Sequence, residues 1–290
     1  MRLNQTYLAT MSSIPFIKMH GLGNDFVVLD NRKGSLEIGT DDVCAIGDRR
    51  TGVGFDQLLI LERARNPTAH IFMQILNPDG SEAEACGNGT RCVAAQIMTE
   101  MRKDNANIET VAGILETKRT SENMISVDMG RAQLGWQHIP LSEERDTLHL
   151  GISNGNLVDP AAVNIGNPHM VFFVDDAESI DLSTHGQKLE HHPLFPERTN
   201  VEIASLMGPD KIRMRVWERG AGITPACGSG ACAVGVAAHL RGLTSRKVEV
   251  FLDGGPLTIE WTEQGHVIMT GPVATAFEGT LDLNKITKAR

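Results

Sequence analysis

Basic residues are in the minority in this chain of 290. Thirty-six acidic side chains against 27 basic ones leave a formal charge of −9, which argues against nucleic acid or an anionic membrane as a partner. Long apolar runs are missing too: none reaches the roughly 18 residues that span a bilayer. The opening residues 1–13 contain no apolar block of signal-peptide length and read as a frayed extension. The five cysteines include no Cys-x-x-Cys pair, so the usual structural-zinc spacing is absent and no metal is expected. An odd number of thiols without a secretion signal fits a reducing cytoplasm.

What the chain does contain is a pair of nearly identical stretches, Ala85-Cys86-Gly87-Asn88-Gly89 and Ala226-Cys227-Gly228-Ser229-Gly230. Each opens an apolar run that reads as a buried helix. The first run ends at Arg102-Lys103 and the second at Arg241-Gly242, both helix-stop signals. A cysteine therefore stands at the mouth of each helix. Unpaired N–H groups and the helix dipole favour an anion there. A thiol so placed is expected to have a lowered pKa, and the same amides can hold a carboxylate. Cys44, Cys92 and Cys232 read instead as small buried hydrophobes.

Around the helices the pattern predicts many short strands. Residues 16–30 read as strand, glycine turn, strand. Further strands are expected at 57–61, 70–76, 108–111, 113–118, 124–129, 147–151, 170–175, 200–206, 211–218, 247–252, 257–262 and 266–270. Asn77-Pro78-Asp79-Gly80 is a turn. Together these predict an α+β chain built mostly of antiparallel hairpins. The Pro-rich, charged segment 181–198, with His185, His191 and His192, reads as a solvated loop rather than a metal site.

The chain also repeats itself. Cys86 and Cys227 are 141 residues apart, and Asn77 and Glu218 each lie nine residues before their cysteine. Gly23-Asn24-Asp25-Phe26 resembles Gly166-Asn167-Pro168-His169 at an offset of 143. Arg50-Thr51 leads to Gln57 as Arg198-Thr199 leads to Asn200. Four landmarks in one order at nearly one spacing indicate two homologous halves. Residues 14–130 plus 273–290 form the half carrying Cys86, and 131–272 the half carrying Cys227. The two cysteines are expected to face each other across one site.

Two such thiols suit a definite chemistry. A thiolate removes a proton from one face of a carbon, a thiol delivers one to the other face, and the stereocentre inverts. The helix mouths would stabilise the charge developing beside an α-carboxylate. The scheme requires no cofactor. Asn24, Gln57, Asn77, Asn167 and Asn200 are neutral donors and acceptors suited to an amino-acid zwitterion, although each Asn alone also reads as a turn residue. Arg219 can clamp a second carboxylate in two-pronged fashion. Glu218 can accept from an ammonium or tune a thiol, and His169 can tune Cys86.

At this point the chain resembles the diaminopimelate epimerase family. The matching residues are Lys18 to Phe26, Asn77 to Ser81, Cys86 to Cys92, Gly166 to His169 and Glu218 to Gly230. The resemblance implies a fold of two pseudo-symmetric domains, each a strand-rich barrel of mostly antiparallel strands around a central helix, with 274–283 returning as the last strand of the first half. It implies interconversion of LL- and meso-2,6-diaminopimelate without pyridoxal phosphate, a cytoplasmic step toward lysine and peptidoglycan precursors. It makes Cys86 and Cys227 the proton-transfer residues. Asn24, Gln57, Asn77, Gly87, Asn88, Asn167, Asn200, Glu218, Arg219, Gly228 and Ser229 become substrate contacts, and His169 and Glu218 the residues that adjust thiol pKa. It also implies a homodimer, but Phe277 stands where the family often carries a dimer-supporting tyrosine. Proline or hydroxyproline racemases share the two-cysteine logic, but a proline ring offers Arg219 no distal carboxylate. An isomerase of the phenazine type lacks the cysteine pair. A non-catalytic amino-acid-binding protein or redox sensor is the reading from another class.

Overall fold

The computed structural model describes residues 13–283, 285 and 286. Apart from Ser13, the expected frayed extension lies outside them. The chain forms two compact units. Unit 1 takes the residues up to Gly21, Asp25–Ile114 and those from Val273 on; unit 2 takes Leu22–Asn24 and Leu115–Pro272.

In chain order, unit 1 begins with β1 (Ile14–Gly21), β2 (Asn24–Asp30), α1 (Thr40–Gly47), β3 (Gln57–Glu62), β4 (Ile71–Leu76), α2 (Gly87–Met101) and β5 (Asn105–Thr110). The chain passes into unit 2 within β6 (Gly113–Ser121). There follow β7 (Met124–Arg131), β8 (Ser153–Asn154), β9 (Leu157–Val158), β10 (Ala161–Asn164), β11 (Pro168–Phe173), α3 (Leu182–Glu190), β12 (Asn200–Gly208), β13 (Lys211–Glu218) and β14 (Gly222–Ile223). Unit 2 ends with α4 (Gly228–Leu240), β15 (Lys247–Leu252), β16 (Gly255–Trp261) and β17 (His266–Pro272), and the chain returns to unit 1 as β18 (Ala274–Leu281). The sequence-based division at 130/131 falls one residue before the end of β7. The units divide earlier because β7 pairs with β17, Val127 opposite Met269.

The internal repeat is visible in the strand pairings. In unit 1, β2 and β3 run parallel, β3 and β4 antiparallel, β4 and β5 parallel. In unit 2 the same three relations hold for β11 and β12, β12 and β13, β13 and β15. A parallel pair needs a crossover connection, and α2 and α4 supply it at equivalent places. Even the register repeats: Phe26 faces Gln57 as His169 faces Asn200.

Both crossover helices are buried, as their composition demands. In α4 the residues from Gly230 to Ala238 are all buried, and the helix packs on β10, β11, β12, β13, β15, β16 and β17. Each fully buried valine in this run, such as Val234 and Val236, contributes about 1.5–3 kcal/mol by leaving water. The stop is built as the sequence predicts. Gly242 adopts φ +71°, its N–H donates to His239 O, and the Leu243 N–H donates to Ala238 O. This pairing closes a helix with a left-handed residue, where glycine is free of the Cβ penalty. Helix α2 ends with the same two bonds around Arg102, itself at φ +54°.

Two expectations are corrected. Residues 147–151 form a turn rather than a strand, held by the Leu150 N–H on Pro160 O. The segment 181–198 is not a solvated loop. Asp181 caps α3 by accepting from the Ser183 N–H, and Leu182, Leu189, Leu194 and Phe195 enter a core with Ile203 and Phe172. The three histidines there go to separate partners: His185 to Asn154, His191 to the Gln187 carbonyl, His192 to the Leu194 N–H.

Candidate active site

In unit 1, Cys86 is the N-cap of α2, with extended backbone and its Sγ accepting the Gly89 N–H at 3.3 Å. The sulfur thus takes one of the orphan donors of the first turn. Gly87 follows, then Asn88, buried, whose Oδ1 accepts from the fully buried Arg91 at 2.9 Å. Gln57, at the start of β3, donates its Nε2–H to Asn77 Oδ1 at 3.3 Å, and Asn77 donates to Ser81 Oγ at 3.0 Å. Asn77 therefore opens the predicted turn and also presents a side chain beside Gln57, where β3 and β4 meet.

Asp25, one residue after Asn24, anchors a network that the sequence reading did not single out. It joins Lys18 and Arg49, while its own N–H donates to Asp56 and Arg49 also reaches Asp56. Burial pushes the Asp25 carboxyl up, but hydrogen bonds from Arg49 and Lys18 outweigh it and hold the group below its ordinary value.

In unit 2, Cys227 is the N-cap of α4 and is buried. Its Sγ lies 3.6 Å from Ser229 Oγ. Here the expectation of a lowered thiol pKa is overturned. Burial, then the negative charges of Glu218 and Glu202, raise Cys227 well above the ordinary thiol value; the Gly230 N–H and the Ser229 hydroxyl offset only part of this. Burial and these two carboxylates outweigh the helix dipole. The carboxylates arrive from β12 and β13, brought in by long-range strand pairing.

Glu218, the last residue of β13, accepts from the Thr224 hydroxyl and hydrogen-bonds Cys227; burial raises its pKa against both bonds. Asn200 is buried and bonded at both ends of its amide. Its Oδ1 accepts the Arg219 N–H at 2.9 Å and its Nδ2–H donates to Pro168 O at 2.9 Å. It clamps the backbone that carries Arg219 to the turn that carries Asn167. Arg219 itself donates from Nη1 to the Glu197 carbonyl. His169 is fully buried, its Nε2 2.8 Å from Asn167 Oδ1 and its Nδ1 2.7 Å from Glu202 Oε1.

In unit 2, Glu218 and Ser229 reach Cys227, Glu202 links to His169 and Asn167, and Asn200 joins Arg219, the residue after Glu218; in unit 1, Gly87 and Asn88 follow Cys86 in the first turn of α2, and Gln57 pairs with Asn77. Asn24 lies in the short segment assigned to unit 2, half-buried at the start of β2. Of the remaining cysteines, Cys92 and Cys232 are buried and Cys44 is half-buried. Burial lifts the Cys92 thiol to about 12.

Two residues at this site escaped the sequence reading. Glu202 was hidden because β12 is buried on both faces along its first six residues, so alternation says nothing of where a side chain points. Glu190 ends α3, buried, and accepts from the Gly220 N–H at 3.0 Å and from Trp217 Nε1–H at 2.8 Å. It holds the turn just after Arg219.

The sequence profile described as Diaminopimelate epimerase matches residues 16–135 and 161–276. The chain belongs to the diaminopimelate epimerase family. Diaminopimelate epimerase of Rhodospirillum centenum is 57% identical over 266 residues, covering 92% of this chain and 91% of that protein. The enzyme of that name from Acidiphilium cryptum is 53% identical over 268 residues, covering 92% and 96%. Among solved structures, a probable proline racemase from Agrobacterium radiobacter with bound carbonate matches with a TM-score of 0.66 at 15% identity, covering 92% of each chain. At that identity the likeness is one of fold: two-domain, strand-rich and α+β, the architecture of the diaminopimelate epimerase family. Among the described residues no helix is long and apolar enough to cross a membrane.

Proposed function

We propose that this protein interconverts LL- and meso-2,6-diaminopimelate by proton transfer at Cα, without a cofactor. The observation that carries the reading is the repeat. Two cysteines cap equivalent helices at equivalent registers, in a chain 57% identical to a protein named for that reaction. Cys86 and Cys227 act on the two faces of one Cα. Cys227 is the thiol, kept protonated by burial and by its carboxylate neighbours. Cys86 is the base, with the Gly89 N–H on its sulfur to stabilise the thiolate. The amides at the mouths of α2 and α4 receive the reacting α-carboxylate, where charge develops. Asn24, Gln57, Asn77, Asn88, Asn167 and Ser229 orient the zwitterion, Arg219 takes the distal carboxylate, and Glu218 tunes Cys227. Asn200 serves by holding Arg219 and the Asn167 turn.

The product feeds lysine and peptidoglycan precursors in the cytoplasm, and the protein acts as a homodimer. The test is Cα exchange. Given LL-diaminopimelate in D₂O, the enzyme incorporates deuterium at Cα of the meso product, and Cys86→Ala and Cys227→Ala each abolish epimerisation. Full activity in either variant sinks the two-base scheme. Exchange into proline instead of diaminopimelate assigns the chain to the racemase chemistry, and binding without exchange makes it an amino-acid-binding protein.

A further inference from the structure

The two cysteines occupy equivalent positions, yet what lies behind each differs. By the shared register, Gln57 corresponds to Asn200, so Leu59 corresponds to Glu202 and Phe26 to His169. The third residue of each helix confirms the match. A Cβ built on Gly89 would meet the Leu59 methyls at 3.2 and 3.3 Å and Cys86 Sγ at 3.5 Å; one built on Gly230 would meet Glu202 Oε1 at 2.7 Å and Cys227 Sγ at 3.3 Å. Behind Cys86 stands Leu59, with Phe26 at the register place of His169, and behind Cys227 a carboxylate joined to an imidazole. We infer that Glu202, partnered by His169, is the positioning residue that breaks the symmetry of the repeat and holds Cys227 as the thiol of the resting protein.

The geometry supports this directly. Glu202 has no solvent exposure, and its Oε2 has no hydrogen-bond partner among the described residues. A buried acceptor left unmatched is costly, and an apolar pair of similar size is often the more stable solution. Unit 1 uses that solution at the same place. The polar pair in unit 2 is therefore a feature that stability alone does not explain. The imidazole of His169 is held at both nitrogens, Nε2 against Asn167 Oδ1 and Nδ1 against Glu202 Oε1.

The titratable groups around Cys227 are Glu218 from β13, Glu202 from β12 and His169 from β11. A carboxylate beside the sulfur disfavours the thiolate and opposes the helix dipole. In unit 1 leucine leaves the dipole unopposed from that side. The inference rests on the proposed roles of the cysteines for its meaning, but its measurement does not need turnover.

The experiment is peptide-resolved alkylation of the full chain by iodoacetamide across pH, in wild type and Glu202→Gln. The amide keeps the shape and removes the charge. Modification of Cys227 near pH 8 is expected to become about tenfold faster, with Cys86 unchanged. If epimerisation is confirmed, the pH optimum of kcat/KM also moves down. A folded Glu202→Gln with wild-type alkylation of Cys227 at every pH overturns the inference. Should that variant not fold, the double variant His169→Phe/Glu202→Leu installs the pair that unit 1 already carries, and the same two outcomes decide. A chain that shows the alkylation shift and never epimerises diaminopimelate refutes the proposed function instead and leaves the inference standing.

Discussion

Glu190→Gln is a one-atom change whose effect can be worked out from its neighbours. Glu190 accepts from Trp217 Nε1–H at 2.8 Å and from the Gly220 N–H at 3.0 Å, one on each carboxylate oxygen, with Arg198 at 3.4 Å on the outside. Both principal partners are donors, and glutamine offers one acceptor oxygen. Whichever way the amide is turned, an NH₂ meets an N–H. One charge-assisted bond is lost, worth about 1.5–3 kcal/mol, and a partly buried donor is left unmatched. The exposed Arg198 adds at most about 1 kcal/mol. Relief of carboxylate desolvation offsets part of the total, so the net loss is about 2 kcal/mol. In a chain of this size that is a fall in Tm of roughly 4–8 °C. The lost bond also loosens the Glu218–Gly220 turn, so KM for diaminopimelate rises more than kcat falls. Urea unfolding and steady-state kinetics on the same preparation check both parts. A variant with wild-type urea midpoint and KM refutes the reasoning, because it shows that the turn does not depend on Glu190.

Gly230→Ala is expected to reduce kcat at least tenfold and to cost about 1–3 kcal/mol, since the new Cβ would stand 2.7 Å from Glu202 Oε1. Gly89→Ala, facing only the flexible end of Leu59 and the sulfur at 3.2 Å or more, is milder; equal losses in the two variants, by the same assays, contradict the assigned packing. Asp25 is held below its unfolded carboxyl value. Its contribution is therefore fully present above the unfolded pKa and disappears as pH falls through the lower, folded value. The stability gap between wild type and Asp25→Asn, from urea midpoints, should be constant near neutrality and close in acid; a gap that widens in acid reverses the sign. Cys92, lifted to about 12, should stay unmodified by iodoacetamide at pH 8 while Cys86 reacts. Faster loss of Cys92 contradicts its burial.

Much of this was legible in local sequence. The two Cys-Gly-x-Gly helix mouths, the basic and glycine stops and the Asn-Pro-Asp-Gly turn are local signals, and strands such as β13 and β15 fall at the residues their pattern predicts. The repeat was legible as well, because its landmarks keep their order. What was not legible depends on long-range pairing. Helix α3 hides behind charge and proline: Leu182 and Leu189 mark one apolar stripe, too narrow to stand out from a loop until Trp217 and Phe172 supply the surface it covers. The raised pKa of Cys227 was not legible because the helix-mouth signal is local, whereas Glu202 reaches the sulfur from a strand 25 residues earlier in the chain. Asn200 was legible from the repeat, but the bonds its amide makes to the Arg219 N–H and the Pro168 carbonyl were not, because only the fold brings these partners together.

The central claim is that two different sulfurs serve the two faces of one carbon. It is met most directly by following label position at early times in D₂O, starting from unlabelled LL-diaminopimelate. The account predicts deuterium at Cα of the meso product while the recovered LL substrate remains protonated, because the base that takes the substrate proton is not the acid that delivers the solvent one. Deuterium returning to recovered substrate as fast as it enters product would show one group serving both faces, and would contradict the account.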